Sequence, residues 1–165
     1  IIFFFTSINQ ALYAESPYFL DFKFILNEST AGKKAQTFLK NKLENGIKNI
    51  KNKQKQIQEE EKKIIQKKKI ISAEEYEKNV KDLRNKVSSL QKERNQLLET
   101  VSDQRQKARK ILLNNLNPII KNYMKEKNIR MVVDKKSLLL ADEALDITQD
   151  IISLLNSKLK SINLK

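Results

Sequence analysis

Five lysines, Lys62, Lys63, Lys67, Lys68 and Lys69, crowd into about two helical turns and are followed by Ile70, Ile71 and Tyr76. Ammonium groups at this density attract anions, and adjacent apolar side chains give an attracted partner a dry surface to rest on. Like charges three and four residues apart cost a helix about 0.2–0.5 kcal/mol per pair. Such a cost concentrated at one point indicates a use, namely steering of acidic partners or anionic lipid head groups. The plain alternative is a solvated face that keeps the chain soluble. Little else in the chain offers chemistry. It has no Cys, His or Trp and only two Gly. The usual zinc, iron–sulfur and haem ligand sets are missing, as are Cys–His and Ser–His–Asp nucleophile sites. Neither G-x-x-x-x-G-K-[ST] nor G-x-G-x-x-G occurs. Asp134 and Asp146 read as a turn residue and a helix cap rather than a carboxylate pair. The chain is expected not to be an enzyme and to use no metal or cofactor.

The elements that position the lysines follow from composition. The chain has 165 residues, a one-domain length, with 33 Lys+Arg against 20 Asp+Glu and a net charge of +13. Residues 33–70 hold 13 basic and four acidic side chains, so most of the excess lies in that segment. Scarce Gly and Pro with abundant Lys, Gln, Glu, Leu and Ile predict long helices.

The chain opens Ile1-Ile2-Phe3-Phe4-Phe5, followed by a polar stretch and Ala14. This pattern resembles the end of a secretory signal peptide over residues 1–14, with cleavage after Ala14. The apolar run is too short to span a bilayer. The product is expected to be soluble and periplasmic.

From Ala31 to about Ile70 no Pro intervenes. Leu43, Ile50, Ile57, Ile64 and Ile71 recur every seven residues, with Ile47, Gln54, Glu61 and Lys68 taken as the paired seam positions. Ser72-Ala73-Glu74-Glu75 matches the S-x-x-E capping box, so a second helix is expected from Ala73 and the turn near residues 69–72. Tyr76, Leu83, Leu90, Leu97 and Ile111 continue the heptad, with Val80, Val87, Val101 and Ala108 beside them; Arg94 and Gln104 are polar exceptions. The reading is an antiparallel coiled-coil hairpin over residues 31–117. Its first segment of about 40 residues would be roughly 60 Å long, so it must project as an arm. Gly46 is a candidate hinge, and Pro118 is expected to kink or restart the helix.

The two ends supply the body, residues 17–30 and 118–162. Residues 18–26 are aromatic and predict a strand running into a turn, with Asn27, Ser29 and Thr30 as cap candidates. Residues 129–134 predict a strand with a turn at Lys135-Lys136, residues 138–141 another strand, and Asp146 the cap of a closing helix. The fold class is mostly α with a small β body. Phe19, Leu20, Phe22, Met131, Val132, Val133 and Leu139 are the body residues expected at a subunit contact.

Asn27-Glu28-Ser29-Thr30-Ala31-Gly32-Lys33-Lys34-Ala35-Gln36 resembles the opening of the Skp/OmpH family of periplasmic chaperones. So does Asn128-Ile129-Arg130-Met131-Val132-Val133-Asp134 with the later Leu145-Asp146-Ile147-Thr148. The resemblance covers residues 17 to about 157. It implies a homotrimer in which strands of three chains form a small barrel and three arms enclose a cavity. It also implies binding of unfolded outer-membrane proteins, without ATP, so that they do not aggregate. Two other functions compete. A pI near 9.8 permits non-specific phosphate binding, but export and sparse Arg argue against a nucleic-acid partner. A structural envelope coiled coil would need no strand-rich body.

Overall fold

A computed structural model describes residues 16–164. The signal-peptide reading of residues 1–14 lies outside the described residues. In chain order the elements are β1 (Tyr18–Leu20), α1 (Phe22–Glu28), α2 (Thr30–Lys67), α3 (Ala73–Glu126), β2 (Val132–Asp134) and α4 (Thr148–Lys158). Short 3-10 turns lie at Lys135–Ser137 and Glu143–Leu145. The protein is mostly helical, with long helices and one two-stranded sheet.

The local signals are physical. Ser29 is fully buried and its hydroxyl accepts from Gly32 N–H at 3.2 Å, opening α2. Ser72 does the same for Glu75 N–H at 3.2 Å, and α3 begins at Ala73 as the capping box requires. α3 ends in a Schellman motif: Ile129 N–H reaches Met124 C=O at 2.8 Å and Asn128 N–H reaches Lys125 C=O at 3.4 Å. Asn128 takes the left-handed conformation this needs, φ 56°.

At 1.5 Å per residue, α2 with 38 residues and α3 with 54 extend about 57 and 81 Å. They lie side by side. Lys42 pairs with Gln104, Lys53 with Glu93 and Glu60 with Lys86, so residue numbers rise on one helix as they fall on the other. Among the described residues, the main core takes nothing between Ala31 and Leu112. It joins Leu20, Ile25, Leu116, Ile119, Tyr123, Ile151 and Leu155 from the two ends of the chain.

β1 and β2 pair in parallel, Tyr18 opposite Val132, Phe19 opposite Val133 and Leu20 opposite Asp134. The long helix pair is thus the crossover between two adjacent strands. Phe19 also bridges to Asp146, and its carbonyl accepts from Ile147 N–H at 2.9 Å.

Four expectations are corrected. Residues 22–28 form a helix, not the continuation of a strand. Asp21 caps it by accepting from Phe24 N–H at 2.8 Å, and Phe22, Ile25 and Leu26 fall on one helical face toward the core. Residues 138–141 form no strand; Leu139 and Leu140 stand fully exposed. α3 runs unbroken through Pro118. Leu112, Leu116, Ile119 and Tyr123 are buried on both sides of it, while Pro118 and Asn114 are exposed, so the carbonyl that loses its partner faces water. The polar seam of α2 lies one residue earlier than expected. Gly46 and Glu60 are half-buried and Lys53 is ion-paired across the seam, whereas Ile47, Gln54 and Glu61 are exposed. Asp146 is a fifth, partial case. It precedes α4 without being its formal cap, yet its carboxylate accepts from Thr148 N–H at 2.9 Å.

Candidate functional site

The first candidate surface is the tip of the helix pair. Lys62, Lys63 and Lys67 occupy the last turns of α2, and Lys68 and Lys69 the turn itself, which Ile70 N–H closes on Lys67 C=O at 2.9 Å. All five are exposed, and among the described residues none of them forms an ion pair. Lys68 Nζ lies 5.6 Å from the Tyr76 ring centroid. Ile70 is 82% exposed and Ile65 60%, while Ile64 is buried and Ile71 and Tyr76 are half-buried. Cations and open apolar groups therefore do meet at the tip. Glu74 and Glu75 open α3, so the positive charge belongs to α2 and the turn.

The second surface is the sheet edge of the body. β1 is flanked by β2 and by the Asp146 bridge, but among the described residues β2 has β1 alone. Met131, just before β2, is 58% exposed. Leu139 and Leu140, just after its 3-10 turn, project into solvent with no intrachain packing. Phe19 and Leu20 are instead buried, and Phe22, Val132 and Val133 are half-buried. Of the body residues expected at a contact, Phe19, Leu20, Val132 and Val133 are brought together in one sheet. Leu139 stands apart as an unpaired apolar group.

A polar relay ties the body together. Asp21 N–H donates to Thr148 Oγ1 at 2.8 Å, Thr148 Oγ1 donates to Asp146 Oδ1, and Lys135 Nζ reaches Asp146 Oδ2 at 3.0 Å. Burial opposes the charge on Asp146, but the Thr148 hydroxyl and amide and the Lys135 ammonium outweigh it and hold its carboxyl below the usual range. Burial, and then the hydrogen bond to Asp150 at 2.5 Å, push the Tyr123 phenol up to about 12. A folded pKa below the unfolded one stabilises the fold above the unfolded value, near pH 4, and the gain is lost as pH falls through the folded value. Asp146→Asn is expected to cost about 1 kcal/mol at pH 7. The gap from the parent should close below pH 4, as read by urea unfolding across pH.

The motif residues also find their places at the corner between body and helix pair. Glu28 pairs with Lys33 at 2.7 Å, Gln36 Nε2 donates to Asn27 Oδ1 at 3.0 Å, and Asn156 Oδ1 of α4 accepts from Thr30 N–H at 2.7 Å. A signature described as "Outer membrane protein (OmpH-like)" matches residues 18–155.

The chain belongs to the OmpH-like family.

A solved structure of a candidate outer membrane chaperone (OmpH-like) from Caulobacter crescentus CB15 shares the fold of this OmpH-like chain. The TM-score is 0.82 at 20% identity, over 92% of this chain and 95% of that one. No curated protein sequence matches significantly. Among the described residues of this OmpH-like protein, no helix is long and apolar enough to cross a membrane.

Sequence reasoning missed two parts of the site. One is a groove of about 1050 Å³ at the helix-pair root, floored by Leu26, Leu39, Leu43 and Leu112 and rimmed by Lys23, Arg105 and Arg109. The other is the C-terminal tail, whose Ile162 and Leu164 pack back onto that root. The signal was present in Ser161-Ile162-Asn163-Leu164, an alternation of period two after the helical pattern ends.

Proposed function

We propose that this OmpH-like chain is an ATP-independent periplasmic holdase. It binds unfolded outer-membrane proteins and keeps them from aggregating on the way to the outer membrane. It works as a homotrimer: the bodies join through β2 and residues 138–141 around a barrel-like centre, and three antiparallel coiled-coil arms surround the client. It carries out no chemical conversion, needs no cofactor and takes no nucleic acid as partner.

The observation that carries the reading is the separation of packing from reach. The main core lies wholly in the chain ends, whereas the long helices meet over a half-polar seam. An envelope spacer would not need that body. An unfolded barrel strand alternates apolar and polar residues and exposes free backbone. Many weak contacts along an arm hold such a chain by avidity, and each releases readily. The direct test is fluorescence anisotropy with one labelled outer-membrane barrel, first diluted from urea and then folded in detergent. Binding of the unfolded form only is the expected result. Equal binding of both forms, or of neither, contradicts the proposal.

The lysines at the tip add steering toward acidic clients and anionic lipid head groups. Replacing Lys62, Lys63, Lys67, Lys68 and Lys69 by Gln is expected to leave the trimer intact and to slow capture of an acidic client about tenfold at low salt. The difference should vanish as added salt shortens the screening length below about 8 Å. An unchanged stopped-flow capture rate at low ionic strength would leave the cluster as a solubility feature.

A further inference from the structure

The tail beyond α4 lies outside the family-matched segment and is bound to the root of the arm. Residues 161–164 run exposed, half-buried, exposed and buried. Leu164 is 4% exposed, in a cluster with Ala35 and Leu39 of α2 and Val101 and Ala108 of α3. Its carbonyl accepts from Gln104 Nε2, and Gln104 Oε1 in turn accepts from Lys42 Nζ at 3.0 Å. Gln104, the polar exception in the heptad, thus holds a backbone carbonyl of a segment lying across the seam. Ala35, Leu39, Leu43 and Ala108 contact the tail's apolar cluster and also line the open groove. The tail therefore fills one end of an apolar strip whose remainder is open.

We propose that this strip is a docking site for extended segments that alternate apolar and polar residues, and that the tail is its built-in occupant. The argument rests on the holdase reading for the identity of the external partner, a strand of an unfolded barrel. The tail presents the same pattern: alternate apolar side chains seated between the helices and a backbone carbonyl held by a side-chain amide. Lys23, Arg105 and Arg109 at the rim favour a partner whose polar positions are acidic. A client strand would displace the tail and extend into the open groove. A site occupied by its own chain about nine-tenths of the time binds an outside partner about tenfold more weakly than the free site.

The test uses the full chain and a fluorescent ten-residue peptide alternating Leu with Ser and Glu. Ile162→Ser with Leu164→Ser is expected to raise peptide affinity about tenfold over the parent. Gln104→Ala, which leaves the tail's apolar residues in place, should raise it by a smaller factor. A photo-crosslinker in the peptide should label α2 near Leu39. Unchanged or weaker binding by variants that keep the parent's circular dichroism overturns the proposal. So does a change of sedimentation coefficient without a change in peptide affinity, since the strip would then be a contact between copies. Should the double variant unfold, Gln104→Ala decides alone. Tail-dependent peptide binding without retention of unfolded barrels would sink the holdase reading and leave this site standing; the converse would sink only this site.

Discussion

Replacing Leu139 and Leu140 by Asp is expected to turn the trimer into a folded monomer at micromolar concentration. Both side chains are fully exposed in the single chain, so their removal leaves intrachain packing untouched. Burying a leucine gives about 1.5–3 kcal/mol, and two per chain correspond to a loss of at least about a hundredfold in association. Carboxylates at a dry contact without partners add to that loss. Sedimentation velocity gives the answer directly. A double variant that still sediments as three chains would place the subunit contact elsewhere. Unchanged far-ultraviolet circular dichroism is expected in either case, because the core formed by Leu20, Ile25, Leu116 and Ile151 does not involve these residues.

The second large effect concerns two glycines on one helix. A methyl group at Gly32 would stand 2.0 Å from the Leu26 carbonyl oxygen and 2.9 Å from Ser29 Oγ. The first is backbone and the second is the cap of α2, so neither yields without opening the corner between α1 and α2. Gly32→Ala is expected to destabilise the protein by about 3 kcal/mol, or about 10 °C in melting midpoint for a chain of this length. At Gly46 the methyl would meet only the Leu97 side-chain end, at 2.4 and 2.6 Å. That end can turn aside, and Ala gains about 1 kcal/mol of helix propensity over Gly. Gly46→Ala should therefore leave the midpoint within about 2 °C of the parent. A thermal scan showing equal losses at both sites would refute the distinction between backbone and side-chain neighbours.

The two glycines illustrate what sequence could and could not reveal. Gly46 drew attention because a helix interior penalises glycine, whereas Gly32 sat inside a family motif with no separate signal. Local signals were legible. The Ser72 to Glu75 capping box marks the start of α3, and the heptad isoleucines mark the inner face of α2 from Leu43 to Ile64. Each of those signals is written within a few neighbouring residues. Errors arose where distant contacts decide. Asp21 turned the aromatic run into α1 by supplying a cap, and core packing on both sides carried α3 through Pro118. The parallel pairing of β1 with β2 joins residues more than a hundred positions apart, and no local pattern encodes it. The leucines at 138–140 read as a strand because they are apolar, but a strand needs a neighbour for its backbone, and one copy of the chain offers none. At the candidate site, the lysine cluster was legible as composition, while the arm-root groove emerged only when α1, α2 and α3 were brought together.

The holdase account is tested most directly by light scattering after an unfolded outer-membrane barrel is diluted from urea, with no nucleotide present. Three equivalents of the mature chain per client are expected to suppress aggregation, and the Leu139 and Leu140 double variant is expected to lose that protection because single arms cannot surround a client. Aggregation that proceeds at the same rate with and without the parent protein would contradict the account.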